Sequence, residues 1–303
     1  MKPDSTTNHR SGFVAVAGRP NVGKSTLVNR VLGRELCIVT PKPQTTRHAI
    51  TAIYTEPDVQ MVLRDTPGIH EAQTPLNRAL VATAMKTLEE ADVILFMVEP
   101  SADIHPEDLR IVDVIRASKA RSVLAINKID TVEKPLLLPI MEAYAKIYSF
   151  EQTIPISATF GSGVEDLIKA LRELLPAGPP LFPEDDISDL PVKFFVEEFI
   201  REQITKKTGE EIPYKTVVVV ESFIEQADRV LIRADIHAEK AGQKGILIGK
   251  GGKMIKQIGM AARKKIEEFL GVKVRLELFV KVTPNWTRDP RQLAEFLDIR
   301  SRM

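Results

Sequence analysis

The sequence predicts an α/β protein in two parts: a mostly parallel sheet with flanking helices, followed by a smaller α+β domain. Short apolar runs at 13–17, 61–63, 93–98, 122–126 and 154–156 alternate with longer segments of helical period. That rhythm is the one produced by parallel strands joined through crossover helices. A stretch rich in proline and acid then breaks it, with Pro176, Pro179, Pro180, Pro183 and Pro191 enclosing Glu184, Asp185, Asp186 and Asp189. Such a composition makes a stiff connector. Beyond it the periodicities run helix, strand, strand, helix pair, strand. The expected boundaries are therefore 1–176 for the first domain, 177–191 for a linker, and 192–303 for the second domain with a tail helix.

Composition narrows the function classes. The 303 residues are 44% hydrophobic and 27% charged, a balance that excludes wholesale disorder. No stretch approaches the ~18 apolar residues that span a bilayer, and the opening MKPDSTTNHR is too polar for a secretory signal. A cytoplasmic address is expected. The single cysteine, Cys37, forms no intrachain disulfide, and five histidines without CxxC or HExxH spacing make no metal cage. A net charge of +1 hides an asymmetry: residues 1–189 carry 20 Lys and Arg against 25 Asp and Glu, while 190–303 carry 22 against 16. The halves are expected to meet different partners.

The first buried strand runs directly into Gly18-Arg19-Pro20-Asn21-Val22-Gly23-Lys24-Ser25, followed by a helical segment from Ser25 through Thr26 towards Leu32. This is a complete GxxxxGK[ST] between a strand and a helix. Its glycines let successive N–H groups and the helix N-terminus surround a phosphate chain. Lys24 adds positive charge near the β- and γ-phosphates, and the Ser25 hydroxyl suits Mg²⁺. Asp65-Thr66-Pro67-Gly68 follows the strand at 61–63, where the acid reaches towards the metal and the Gly68 N–H towards a γ-phosphate. Asn127-Lys128-Ile129-Asp130 closes the strand at 122–126. Asp130 can accept from guanine N1–H and the 2-amino group, which adenine lacks, and a carboxylate left unpaired rejects the analogue. Ser157-Ala158, after the strand at 154–156, offers a backbone N–H to guanine O6. Further on, Val164, Leu167, Ile168, Leu171, Leu174 and Leu175 line one face of a helix, with Ser162 and Glu165 spaced as a capping box and Pro176 as its stop.

GRPNVGKST, the QTTR segment from Gln44 to Arg47, DTPG, NKID and SA, in this order, resemble a translation-associated GTPase of the Era type over roughly residues 10–176. The resemblance implies GTP and GDP as ligands, Mg²⁺ held by Ser25, Asp65 and a switch threonine, and catalysis by Lys24, Asp65, Gly68 and that threonine. The switch threonine is Thr46 or its neighbour Thr45. Ile69 stands where Ras-like enzymes place a water-orienting glutamine, so unassisted hydrolysis is expected to be slow. Asn21 either holds a K⁺ ion that substitutes for an arginine finger, as in related GTPases, or only shapes the loop. His70 reads as a general base or as a solvated switch residue. Arg47 and Arg64 read as surface charges.

In the second half, 192–207 reads as an amphipathic helix, 215–223 and 229–238 as strands, 253–270 as a helix stopped by Gly271, and 273–282 as a last strand. Between the second strand and the long helix lies GILIGKGG. Ile248, Gly249, Lys250, Gly251, Gly252, Lys253 and Lys256 form a glycine loop opening a basic helix, and residues 240–265 hold eight Lys or Arg and no acid. The order and the IGKGG loop resemble a type II KH domain over roughly 192–285, which implies a clamp for about four nucleotides of single strand. Trp286, in the tail before a short apolar helix at 292–297, either stacks on a base or packs that helix against the domain.

Together these resemblances imply a GTP-hydrolysing, RNA-binding factor. Its target would be the 3′ end of small-subunit (16S) rRNA and its role assembly of the 30S subunit. The protein would be a monomer with some peripheral membrane association. Two other classes use the same motifs: a GTP-dependent RNA-modifying enzyme, and a nucleotide-gated scaffold.

Overall fold

The structure is a computed structural model that describes residues 9–42, 45–69, 74–101 and 103–297. The chain forms two compact units, one built mainly from residues up to Asp189 and the other mainly from Leu190 onward.

The first unit is a six-stranded sheet of order β2-β3-β1-β4-β5-β6, comprising β1 (Arg10–Ala17), β2 (Ile50–Glu56), β3 (Val59–Asp65), β4 (Val93–Val98), β5 (Arg121–Ile126) and β6 (Gln152–Pro155). Helices α1 (Lys24–Leu32), α2 (Pro75–Glu89), α3 (Pro106–Ala117), α4 (Leu137–Ile147) and α5 (Val164–Leu174) connect or follow its strands. β1, β3, β4, β5 and β6 pair in parallel. Central β4 is buried at every position, which is why it reads as an unbroken apolar run. Phe96 anchors the core below it, edge-on to Tyr144 at 6.4 Å and stacked on Phe150 at 6.0 Å.

Two features depart from the expected pattern. The sheet gains β2, an antiparallel edge strand joined to β3 by a tight turn and in register from Ile50 opposite Asp65 to Glu56 opposite Val59. The capping box at Ser162 and Glu165 does not form. Gly163, left-handed at φ 71°, is the N-cap of α5 and no side chain caps it. A Cβ on Gly163 would lie 2.3 Å from the Pro155 carbonyl oxygen, so glycine fixes the cap one residue later than the box requires. The proline-rich segment is hydrogen-bonded along this unit: Leu181 and Phe182 donate to Gln60 Oε1 at 2.7 and 2.8 Å, and Ile53 donates to the Ile187 carbonyl at 2.9 Å.

The second unit comprises α6 (Val192–Lys207), β7 (Thr216–Glu225), β8 (Arg229–Ala238), α7 (Ala241–Ile248), α8 (Lys253–Leu270), β9 (Lys273–Val282) and α9 (Pro290–Leu297). Its three strands lie in the order β7-β8-β9, antiparallel then parallel. α8 turns Ile258, Ala262 and Ile266 inward, and Phe269 packs against Phe195 and Phe199 of α6 at 5.4 and 5.2 Å. Trp286 is fully buried, donates from Nε1 to the Lys215 carbonyl at 3.1 Å and meets Phe296 of α9 edge-on at 5.5 Å. It is a packing residue that seats the tail helix.

Candidate functional site

The motifs of the first unit converge because each follows the C-terminal end of a neighbouring parallel strand, where open α/β sheets collect their ligands. Gly18–Gly23 follows β1, Thr66–Gly68 follows β3, Asn127–Asp130 follows β5, and Ser157-Ala158 follows β6. The phosphate loop closes on itself: Lys24 donates from Nζ to the carbonyls of Gly18 and Arg19 at 2.9 and 2.8 Å. Burial lowers the Lys24 pKa to about 8, partly offset by the Asp65 charge. Asn21, at φ 65°, and Gly23, at φ 103°, shape the turn. Thr26 sits in the first turn of α1, and Val22 is fully buried. A Cβ on Gly68 would fall 2.6 Å from the Pro20 nitrogen, so the two loops pack closely.

Ser25, Thr46 and Asp65 meet. Ser25 Oγ donates to Asp65 Oδ2 at 2.7 Å, Thr46 Oγ1 donates to the same oxygen at 3.3 Å, and the two hydroxyls are 3.1 Å apart. Thr45 instead bonds Thr40 Oγ1 at 2.8 Å and the Lys42 carbonyl at 2.7 Å. The structure thus brings Thr46, and not Thr45, to the other two. Asp65 is fully buried, and its Oδ1 has no hydrogen-bond partner among the described residues. Burial raises its pKa, against the pull of Lys24 and of the Ser25 and Thr46 hydroxyls. Two hydroxyls around a buried carboxylate with an orphaned oxygen form an all-oxygen donor set that suits Mg²⁺.

Thr66 donates to the Val16 carbonyl at 2.7 Å. Ile69 is buried in the core with Phe96 and donates its N–H to the Gly18 carbonyl at 3.3 Å. His70 and Gln44 lie outside the described residues. Arg47 is buried, contrary to its expected place on the surface. Arg64 pairs with Glu90 at 2.8 Å and covers the Phe13 ring at 4.3 Å.

In the base loop, Asn127 donates from Nδ2 to the Val22 carbonyl at 2.7 Å and accepts from the Ala158 N–H at 2.9 Å. Both backbone N–H groups of the Ser157-Ala158 pair, one of which was expected at guanine O6, are engaged here: that of Ala158 by Asn127 and that of Ser157 by the Ser162 carbonyl at 2.9 Å. Ser157 Oγ donates to Asp130 Oδ1 at 2.5 Å, orienting the carboxylate. Lys128, left-handed at φ 64°, pairs with Glu99. Three partners carry no motif and are invisible to sequence reading: Glu99, Asp108, which binds Arg19, and Arg30. Arg30 donates from Nε to the Ala158 carbonyl at 3.1 Å and also binds the Thr159 carbonyl.

In the second unit the glycine loop joins α7 to α8. Gly249, Gly251 and Gly252 have φ of 71°, 61° and 75°, and a Cβ on Gly249 would lie 2.7 Å from Met254 Cβ. Lys250, Lys253 and Lys256 are exposed and Ile248 is half-buried. The far end of the basic run has a different role. Lys265 binds Glu202 at 2.7 Å and lies 5.1 Å from the Phe199 ring centroid, so its ammonium serves the fold. Glu221, Asp235 and His237 also cluster within 4.8 Å, with Lys281 ion-paired to Asp235.

The phosphate loop, the Ser25–Thr46–Asp65 set and the Asn127–Asp130 motif on a mostly parallel sheet define a P-loop GTPase, and the second unit is a KH domain. The family described as 50S ribosome-binding GTPase matches residues 13–128, and the KH domain family matches residues 211–287. GTPase Era of Geotalea uraniireducens is 50% identical over 288 residues, covering 95% of this chain and 97% of its own. GTPase Era of Syntrophus aciditrophicus is 49% identical over 289 residues, covering 95% and 94%. The crystal structure of a point variant of Aquifex aeolicus Era bound to GDP·AlF4⁻ superposes with a TM-score of 0.92 at 36% identity, covering 96% of this chain and 99% of that one. A second Era structure, in complex with MgGDPNP and nucleotides 1506–1542 of 16S ribosomal RNA, matches with the same TM-score, identity and coverage. The chain belongs to the GTPase Era family. It is an enzyme that hydrolyses GTP to GDP and phosphate.

Proposed function

We propose that this GTPase grips the single-stranded 3′ end of small-subunit rRNA through its KH loop and acts in assembly of the 30S subunit. The observation that carries the reading is the Gly249–Gly252 loop, with positive φ at its three glycines and Lys250 exposed, at the N-terminus of α8. Backbone N–H groups at that helix end and the ammoniums of Lys250, Lys253 and Lys256 supply positive potential, and the glycines admit a phosphate at backbone distance. The Era structure with 16S nucleotides 1506–1542 supports rRNA as ligand.

In the nucleotide site, Lys24 neutralises β- and γ-phosphate charge and the loop N–H groups hold the phosphate chain in place. Ser25, Thr46 and Asp65 hold Mg²⁺, which supplies charge neutralisation at the phosphates. Thr46 acts as the switch threonine and Gly68 offers its N–H to the γ-phosphate. Ile69 has no group to orient a water, so turnover depends on another contribution. Asn21, set at φ 65° in the phosphate loop, holds K⁺ in that role. The protein acts as a cytoplasmic monomer. Its membrane association is peripheral. No helix among the described residues is long and apolar enough to cross a membrane.

The test is a titration of fluorescent single-stranded RNA with the 16S 3′-end sequence against the parent and a Lys250→Asp, Gly251→Asp variant. Two carboxylates where a phosphate lies, with side chains at a close backbone approach, abolish binding, while GDP affinity stays within about twofold because the first unit binds the nucleotide. RNA affinity of the parent falls with log salt at roughly −0.7 per phosphate contact. Equal RNA binding by parent and variant, both folded by circular dichroism, contradicts the reading. A change in RNA mass after incubation with GTP would instead mark a modifying enzyme.

A further inference from the structure

A buried carboxylate on α3 reaches the phosphate loop from behind. Asp108 is 1% exposed, and its Oδ1 accepts from Arg19 Nε at 2.9 Å while its Oδ2 accepts from Tyr144 OH at 3.1 Å. Neither Asp108 nor Tyr144 belongs to any nucleotide motif. A carboxylate withdrawn from water is costly unless it is paired and hydrogen-bonded, and here both oxygens are used. Burial pushes the Asp108 pKa up while the Arg19 guanidinium and the Tyr144 hydroxyl pull it down, and burial also raises the Tyr144 phenol. The Arg19 guanidinium continues the chain on its other side. Its Nη2 lies 3.9 Å from Glu99 Oε2, and Glu99 pairs through Oε1 with Lys128. The Arg19 carbonyl, meanwhile, is one of the two that hold Lys24 Nζ.

The geometry points to Asp108 as a positioning residue for the nucleotide: through Arg19 it fixes the phosphate-loop carbonyl that docks Lys24, and through Arg19 and Glu99 it holds the Lys128 loop in register. Rigid secondary structure thereby adds support from α3 to two loops that the Asn127–Val22 bond already joins. Such support lowers the ordering cost of binding. The β-phosphate at the phosphate loop and the base at the Lys128 loop are present in GTP and GDP, so both ligands benefit. The inference rests on the nucleotide site described above.

The test compares Asp108→Asn, Arg19→Met and the double variant in the full-length chain. Each single variant should weaken GDP binding about tenfold, the scale of one charge-assisted hydrogen bond, and raise KM for GTP, while kcat of Asp108→Asn at saturating GTP stays within about twofold. The double variant should bind no more weakly than the worse single, because both cut the same strut. Tyr144→Phe, which spares the Arg19 pair, should change GDP affinity less than about threefold. A residue important only for folding would lower kcat through the active fraction and leave KM alone. That result, unchanged GDP affinity, or losses that multiply in the double variant would overturn the proposal. If Asp108→Asn does not fold, Arg19→Met decides by itself, and GDP affinity within about twofold of the parent overturns it. Failure of the parent to bind GDP would contradict the nucleotide site itself.

Discussion

Asn127 and Val22 join the two loops that a nucleotide bridges: the carboxamide of one donates to the carbonyl of the other at 2.7 Å, from the base loop to the phosphate loop. The bond leaves no space at the next residue. A Cβ on Gly23, already at φ 103°, would sit 2.2 Å from Asn127 Nδ2. Glycine at 23 therefore follows from the asparagine at 127 as much as from the phosphate.

Asn127→Ala should loosen both loops at once, since the Val22 carbonyl and the Ala158 N–H lose their partner. Orphaning buried backbone groups costs about 1–3 kcal/mol each. The expected outcome is a drop of several degrees in melting temperature and at least a tenfold loss of GDP affinity, read by thermal unfolding and calorimetry.

Lys24 makes nucleotide binding sensitive to pH. With its pKa lowered to about 8 by burial, the lysine is about half charged at pH 8 before ligand arrives. Phosphates restore the full charge, so binding takes up protons and affinity falls as pH rises above about 8. Calorimetry of GDP binding without Mg²⁺, in buffers of different ionisation enthalpy at pH 8, should show uptake of about half a proton, absent in Lys24→Arg.

Hydrolysis should be faster in K⁺ than in Na⁺ at equal ionic strength, and Asn21→Ala should remove the difference. Phosphate release under multiple turnover measures both. Ile69 offers no group to a water, so Ile69→Ala, although it removes core packing, should lose less turnover per folded molecule than Thr46→Ala.

Most of the site was legible because parallel strands deliver their loops to one edge in a fixed manner, so motif order translates into proximity. Thr46 was narrowed only by geometry, since Thr45 and Thr46 are adjacent and only side-chain direction separates them. The Asp108–Arg19 pair spans 89 positions and leaves no spacing pattern. β2 carries no clear sequence signal, because Ile50–Glu56 mixes apolar and polar residues at an antiparallel sheet edge, outside the parallel rhythm. The basic run from Lys240 to Lys265 is not uniform in role: at its end Lys265 answers Glu202 inside the fold, a pairing 63 positions apart that leaves no spacing pattern. The proline-rich stretch was recognisable as a connector, but its bonding to Gln60 depends on a single buried glutamine.

The proposed reader of the guanine base is Asp130, whose carboxylate Ser157 orients at 2.5 Å. Its most direct test is equilibrium binding of GTP, ATP and xanthosine triphosphate to the parent and to Asp130→Asn. The parent should prefer GTP over ATP by about 10⁴ or more, as a site built on substrate hydrogen bonds does. The variant should lose GTP and gain xanthosine triphosphate, whose 2-carbonyl matches the new amide. A parent that binds ATP as tightly as GTP, or a variant whose preference is unchanged, would contradict the account.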